Sequence, residues 1–116
     1  MGCLTTHVLD TANGCPAANI RVELYNLDNG RLLIKESLTN ADGRLDEALL
    51  ENDLFIKGRY ELVFHAADYF VASGLLLPDP PFVEDVVLRF GIADSSQHYH
   101  VPLLVSPWSY STYRGS

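Results

Sequence analysis

The sequence has little cysteine, few basic residues and no long apolar run. Two cysteines, Cys3 and Cys15, are too few for the disulfide framework of a small secreted domain. A disulfide between them is one alternative, but we expect two small, partly buried free thiols. Eight Lys and Arg against fifteen Asp and Glu give a net charge of −7, which repels phosphate backbones and argues against a nucleic-acid partner.

Membrane and export signals are also missing. No apolar stretch reaches the roughly 18 residues that a spanning helix needs, so we expect no membrane partner. The first residues do not show the basic and then apolar pattern of a secretory signal, and we therefore expect a cytoplasmic protein. With 116 residues, 47% apolar and 20% charged, the chain is predicted to form one folded domain, residues 1–116.

Short alternating runs separated by turn signals fill most of the chain. Strands are predicted over residues 3–9, 20–27, 32–39, 58–64, 85–92, 97–105 and 110–113. Asn-Gly or Asp-Gly pairs mark the turns at residues 13–14 and 42–43. Residues 66–74 form the best helix candidate, with Gly74 at its end. The pattern predicts an all-β fold, an antiparallel β-sandwich of seven to eight short strands with one short helix.

Three of the four histidines occupy strand positions that point away from the expected core. His7 alternates with Val8, and His98 and His100 share a face because strand side chains repeat every two residues. A single strand histidine is usually a bystander. A His-x-His pair, however, places two imidazoles near one metal ion or one substrate. A metal site with His7 as third ligand and a metal-free substrate site are both open at this point.

Other candidate residues have ordinary interpretations when they are taken alone. Arg44 follows an Asp-Gly turn, where a solvated arginine is common, and Tyr113 suits simple packing. His65 belongs to no motif and is interpreted as structural. The chain end, however, consists of β-forming residues up to a free carboxylate on Ser116, whereas most termini fray. We therefore predict that the position of the chain end is functional.

Several of these stretches together resemble one known family. They are Leu4–Asp10, Gly14–Ala17, Thr39–Arg44, His98–Pro107 and Tyr113–Ser116. They are similar to the 5-hydroxyisourate hydrolases, the enzymatic branch of the transthyretin family, over essentially the whole chain. The resemblance implies a transthyretin-like sandwich. It also favours a short edge strand and a loop over residues 45–54, where the leucine spacing alone favours a helix.

The resemblance assigns roles to particular residues. The implied catalytic residues are His7, Arg44 and His100. The implied substrate-binding residues are His98, Tyr113, Arg114, Gly115 and Ser116, where His98 either orients His100 or touches substrate. Transthyretin itself has different side chains at the three catalytic positions, and this sequence carries the hydrolase set.

The activity implied is hydrolysis of 5-hydroxyisourate to 2-oxo-4-hydroxy-4-carboxy-5-ureidoimidazoline in urate catabolism, with no cofactor and no metal. The resemblance also implies a homotetramer, a dimer of dimers, with the site in a channel between dimers. Three alternatives are a non-enzymatic transthyretin-like carrier of small ligands, a structural sandwich, and a metal-dependent hydrolase that uses His7, His98 and His100.

Overall fold

The computed structural model describes residues 2–116. Their regular structure consists of nine strands, one α-helix and one short 3-10 turn. The elements in order are β1 (Cys3–Asp10), β2 (Cys15–Pro16), β3 (Arg21–Asn26), β4 (Leu32–Leu38), β5 (Leu50–Glu51), a 3-10 turn (Asn52–Leu54), β6 (Gly58–Phe64), α1 (Ala66–Ala72), β7 (Val86–Ile92), β8 (Tyr99–Val105) and β9 (Tyr110–Thr112).

The strands form two sheets. One sheet has the order β2-β1-β8-β9, with β5 also paired to β1, and the other has the order β4-β3-β6-β7. The predicted β-sandwich with one short helix is confirmed. The strands number nine instead of seven or eight because β2 and β5 are only two residues long, too short for an alternating pattern to reveal them.

One strand pair departs from the predicted antiparallel arrangement. β1 and β8 run parallel, with Leu4 opposite Tyr99 and Asp10 opposite Val105, whereas every other pair between named strands of residues 2–116 is antiparallel. Along the sequence, all four strands of the second sheet come after β1 and before β8. The chain then enters the first sheet again and runs in the same direction as β1. A connection of this length permits parallel pairing, which a short hairpin does not.

Burial along β1 and β8 alternates as the sequence predicts. Leu4 and Val8 of β1 are fully buried, as is Leu103 of β8, and they pack between the sheets. Cys3, Thr5, His7 and Leu9 alternate with them in β1 and are half-buried on the outer face, as are His100 and Leu104 of β8. The predicted placement of both histidines on the side away from the core is therefore confirmed.

The ambiguous leucine-rich segment forms no α-helix. Its short strand β5 pairs with the start of β1 and continues into the 3-10 turn, so the predicted edge strand and loop are confirmed. Leu49 and Leu50 are buried, which explains the apolar spacing by packing. The predicted helix is present as α1, and Gly74 follows it with a φ of +97°. No helix within residues 2–116 is long and apolar enough to cross a membrane.

Candidate active site

Arg44 reaches the site through a tight loop that lies against β1. The Asn40 side-chain oxygen accepts hydrogen bonds from the backbone amides of Asp42 and Arg44, at 2.9 and 3.2 Å. The Gly43 carbonyl accepts one from the Val8 amide at 2.8 Å. Gly43 has a φ of +75°, and a Cβ there would lie 2.5 Å from the Val8 oxygen, so only glycine fits. The loop brings Arg44 into a backbone bridge with His7.

The chain end reaches the site from the opposite direction. His100 and Gly115 exchange two backbone hydrogen bonds, at 3.1 Å from the His100 amide and 2.7 Å from the Gly115 amide. A Cβ on Gly115 would lie 3.2 Å from both Cβ and Cδ2 of His100, which is closer than real side chains usually approach. Glycine at this position therefore lets the terminal segment lie directly beside the imidazole.

The parallel register of β1 and β8 brings the two histidines together. Thr5 lies opposite His100, and His7 lies opposite Pro102. The imidazole centroids of His7 and His100 are 6.5 Å apart, with a tilt of 37°. The Thr5 hydroxyl lies 2.8 Å from Nδ1 of His100. The outer face of the first sheet thus carries one row with Arg44 beside His7 and an adjacent row in which His100 lies between Thr5 and Gly115.

The surroundings of His100 favour its neutral form. Partial burial lowers the pKa of His100 below the usual imidazole value of 6.5, and the positive charge of Arg44 and the proximity of His7 lower it further. A neutral imidazole keeps a free lone pair at neutral pH. His100 is therefore suited to accept a proton, while the exposed Arg44 supplies a permanent positive charge on the same face.

His98 contacts Cys3 at one end of the outer face. Its exposed ring accepts a hydrogen bond at Nδ1 from the Cys3 backbone amide at 3.2 Å, and the Cys3 Sγ lies 3.1 Å from the same nitrogen. Among residues 2–116 no three His, Cys, Asp or Glu side chains converge in a way that would hold a metal ion. The geometry thus gives no support to the alternative in which His7, His98 and His100 share one ion.

The terminal residues divide between the two sides of the sheet. Tyr113 is 63% exposed, and Ser116 is exposed beside Gly115. The Arg114 guanidinium lies 4.3 Å above the ring of Tyr99, a residue of the core side, and donates to the His98 carbonyl oxygen at 2.9 Å. The structure therefore does not bring Arg114 to the imidazoles, because alternation along the segment turns it to the side opposite Gly115.

His65 lies outside the site, at the start of α1. Its Nε2 is 2.9 Å from a Glu23 carboxylate oxygen, and its Nδ1 is 3.3 Å from an Asp85 oxygen. These contacts link α1 to the second sheet and to the residue before β7. They agree with the structural role that the sequence predicts for this histidine.

Comparison with known proteins assigns the chain to a family. The model of the HIUase/Transthyretin family matches residues 4–115, which is nearly the full length. This chain belongs to that family. Its membership confirms the resemblance that the sequence motifs indicate.

Members of the HIUase/Transthyretin family and related structures match the chain closely. The 5-hydroxyisourate hydrolase of Pseudomonas aeruginosa is 58% identical over 100% of this chain and 93% of its own length. The structure of Klebsiella pneumoniae 5-hydroxyisourate hydrolase has a TM-score of 0.82 at 31% identity and covers 100% of both chains. The structure of (S)-allantoin synthase has a TM-score of 0.95 at 49% identity and covers 99% of this chain, which spans only 44% of that protein.

Within the site of this HIUase/Transthyretin family member, sequence reasoning missed two contacts. Thr5 shares the outer face of β1 with His7, and this alternation was a visible signal. Its partner His100 is 95 residues away, however, and only the parallel register brings the two together. The same is true of Cys3 and His98, which are also 95 residues apart.

Proposed function

We propose that this protein hydrolyses 5-hydroxyisourate to 2-oxo-4-hydroxy-4-carboxy-5-ureidoimidazoline. The observation that carries the proposal is the pairing of two imidazoles 6.5 Å apart with Arg44 bridged to one of them, on the outer face of the first sheet. Relatives such as the Pseudomonas aeruginosa protein bear the name of this activity. The residue types match the needs of water addition to a ring carbonyl followed by opening of the ring amide.

Water activation is assigned to the two histidines. A neutral imidazole within reach of water accepts its proton as the oxygen attacks the carbonyl carbon. The lowered pKa of His100, caused first by burial and then by Arg44 and His7, keeps that lone pair available at neutral pH. A substrate ring that contacts one imidazole lies within reach of the other, so the second histidine relays the proton to the departing ring nitrogen.

Arg44 is assigned to the developing negative charge. As water adds, the carbonyl oxygen becomes an oxyanion, and a guanidinium stabilises it through charge-assisted hydrogen bonds. The planar fork of Arg44 also suits a flat heterocycle with several oxygen atoms. The loop that holds Arg44 is fixed to β1 through Gly43, so the charge is positioned before substrate arrives.

The terminal segment is proposed to close the cleft. Gly115 lies beside His100 through their backbone bridge, and we assign substrate contacts to Gly115 and to its neighbours Tyr113 and Ser116. Substrate contacts of His98 and Arg114 are also part of the proposal. Within this chain, Arg114 anchors the segment through Tyr99 and the His98 carbonyl.

The proposal includes a homotetramer with the site between dimers, one domain over residues 1–116, no cofactor, and a cytoplasmic location. Half-exposed Leu9 and Leu104 lie on the outer face that carries the histidines, and a neighbouring subunit would cover them. Multi-angle light scattering is expected to give a mass four times the chain mass of 12.9 kDa. A fully active monomer would contradict the inter-dimer site.

The activity is tested with freshly generated 5-hydroxyisourate, whose decay is followed by ultraviolet absorbance without added cofactor. We expect the purified protein to accelerate the decay above the spontaneous rate in buffer. Decay that is equally fast with and without protein would overturn the hydrolase assignment. In that case, ligand binding measured by calorimetry with an aromatic hormone-like compound would test the carrier alternative.

A further inference from the structure

Cys3 and His98 form a close pair at one end of the outer face. The Cys3 Sγ lies 3.1 Å from Nδ1 of His98, within hydrogen-bond distance for sulfur. Cys3 is half-buried and His98 is exposed, so the pair is accessible to small molecules. Neither side chain takes part in the proton transfers that are assigned above to His7 and His100.

The backbone defines which partner donates the proton. The Cys3 amide donates a hydrogen bond to Nδ1 of His98 at 3.2 Å, so this nitrogen carries a lone pair and the ring proton resides on Nε2. Between the thiol and Nδ1, the thiol must therefore be the donor. The imidazole is oriented as a base toward the sulfur, which is the arrangement that activates a cysteine nucleophile.

We propose that Cys3 and His98 form a reactive dyad and that Cys3 is a modification site for small disulfides. As the Cys3 sulfur attacks one sulfur of the disulfide, the thiol proton moves to the lone pair of Nδ1 of His98 and displaces the hydrogen bond from the Cys3 amide. A new S–S bond forms between Cys3 and that sulfur, and the original S–S bond breaks. The leaving thiolate takes the proton from the imidazole, so the products are a mixed disulfide and one free thiol, with no net change in oxidation state.

Negative charge near the dyad determines which disulfides we expect to react with Cys3. In the pairing of β1 with β5, Cys3 lies directly opposite Glu51, which is exposed, and paired residues of antiparallel strands share a face. The protein as a whole carries a net charge of −7. An anionic disulfide is repelled from this position, whereas an uncharged or cationic one is not. The expected reagent is therefore small and uncharged or positively charged.

Cys15 provides an internal control. It is also a free thiol, and it is more exposed than Cys3. Within residues 2–116 the structure records no hydrogen bond between Cys15 and an imidazole. If exposure alone determined reactivity, Cys15 would react first. The dyad predicts the reverse order, because only Cys3 has an imidazole beside it that can take the thiol proton as the sulfur attacks.

The test uses the full-length protein and uncharged bis(2-hydroxyethyl) disulfide at pH 7, with adducts located by peptide mass spectrometry. We expect Cys3 to be modified about tenfold faster than Cys15. The variant His98→Asn keeps an acceptor for the Cys3 amide but removes the base, and it should lower the Cys3 rate to the level of Cys15. The variant Cys15→Ser should leave the Cys3 rate unchanged.

A charge series completes the experiment. Cationic cystamine should modify Cys3 faster than dianionic dithiodiglycolate, and Glu51→Gln should reduce this preference. Equal rates at Cys3 and Cys15, or an unchanged Cys3 rate in a folded His98→Asn variant, would overturn the dyad. Faster reaction of Cys3 with the anionic reagent would overturn the assigned ligand class. None of these measurements depends on hydrolase activity, so the outcome is separate from the proposed function.

Discussion

At the scale of single residues, the site depends on the charge state of His100. Its pKa is lowered first by burial and then by Arg44 and His7. The neutral form, which accepts a proton from water in the proposed mechanism, is therefore present down to a pH below the usual imidazole pKa of 6.5. We expect activity to fall as the pH decreases through this lowered pKa, since the protonated ring has no free lone pair. The measurement is the initial rate of substrate decay from pH 5 to 8, after the spontaneous rate has been subtracted. The inflection of this rate with pH gives the pKa that controls activity.

Replacement of Arg44 by Gln should alter that pH profile as well as the rate. Loss of the guanidinium removes one positive charge near His100, so the pKa of His100 rises and the acid limb moves to higher pH. The oxyanion also loses its charged donor, which typically costs about 10²–10³-fold in kcat. A rate loss without any movement of the acid limb would show that Arg44 does not act on His100.

The two histidines should be far more sensitive than the one outside the site. His7→Asn and His100→Asn are each expected to lower kcat by about 10²–10³-fold, because each removes a proposed acid–base group. His65→Gln is the matched control, since His65 contacts Glu23 and Asp85 instead. Circular dichroism confirms the fold of each variant. Equal losses for His65→Gln and His100→Asn would mean that the site is assigned wrongly.

Thr5 is expected to position His100. Its hydroxyl lies 2.8 Å from Nδ1, and a hydrogen bond of this kind contributes about 1 kcal/mol, or about fivefold in rate. Thr5→Val keeps the shape and removes the bond, so kcat should fall about fivefold with KM nearly unchanged. Thr5→Ser should restore the rate. Failure of serine to restore it would indicate a packing effect of the methyl group instead.

At the scale of elements, the bridge between β8 and the chain end holds Gly115 beside His100. A Cβ on Gly115 would lie 3.2 Å from two atoms of His100, so Gly115→Ala forces the segment and the imidazole apart. Small displacements at a catalytic group cost up to about 10²-fold, and we expect a loss of turnover with little change in melting temperature.

Gly91→Ala is the matched control for this prediction. Gly91 lies in β7, and the nearest atom to an added Cβ there is 3.9 Å away, an ordinary contact distance. Activity and melting temperature of this variant should equal those of the unchanged protein. If both alanine variants behaved alike, the close approach of Gly115 to His100 would have no functional role.

At the scale of the whole molecule, buried carboxylates make the fold sensitive to acid. Glu61 is 3% exposed and lies between Arg31 and Arg89, with N–O distances of 2.8 and 3.0 Å. Burial alone raises the pKa of Glu61, but the hydrogen bonds and charges of the two arginines outweigh it. The resulting pKa lies below the reference value of 4.5. Because the folded-state pKa is the lower one, the stabilisation is complete above about pH 4.5 and is lost as the pH falls through the folded-state pKa.

Thermal unfolding from pH 6 to pH 3 tests this linkage. The melting temperature is expected to fall below about pH 4.5, where Glu61 begins to bind protons on unfolding. Glu61→Gln should be less stable at pH 6, because two arginines lose their buried partner, and its melting temperature should depend less on pH over this range. A parallel decrease in both proteins would assign the acid sensitivity to other groups, such as Asp10 and Glu23, whose pKa values are also lowered.

Local patterns of the sequence determined the elements and their faces. Alternation in β1 and β8 was sufficient to place His7 and His100 on the outer side, because side-chain direction in a strand depends only on the residue count. The turn at Asp42-Gly43 was also predictable from the sequence, because glycine adopts a positive φ readily. The structure adds that a Cβ at Gly43 would collide with the Val8 carbonyl oxygen. Motif resemblance then added the proposed catalytic roles, which no spacing rule provides.

Only the tertiary structure determined which residues meet across the sheet. The partners Thr5 and His100, like Cys3 and His98, lie 95 residues apart, and they meet because β1 and β8 run parallel in one particular register. Neither the direction nor the register of such a pair is contained in the alternation of either strand. Both depend on how the intervening chain builds the second sheet and packs its core against the first. The position of Arg114 on Tyr99 has the same origin, because it follows from the packing of the chain end onto β8.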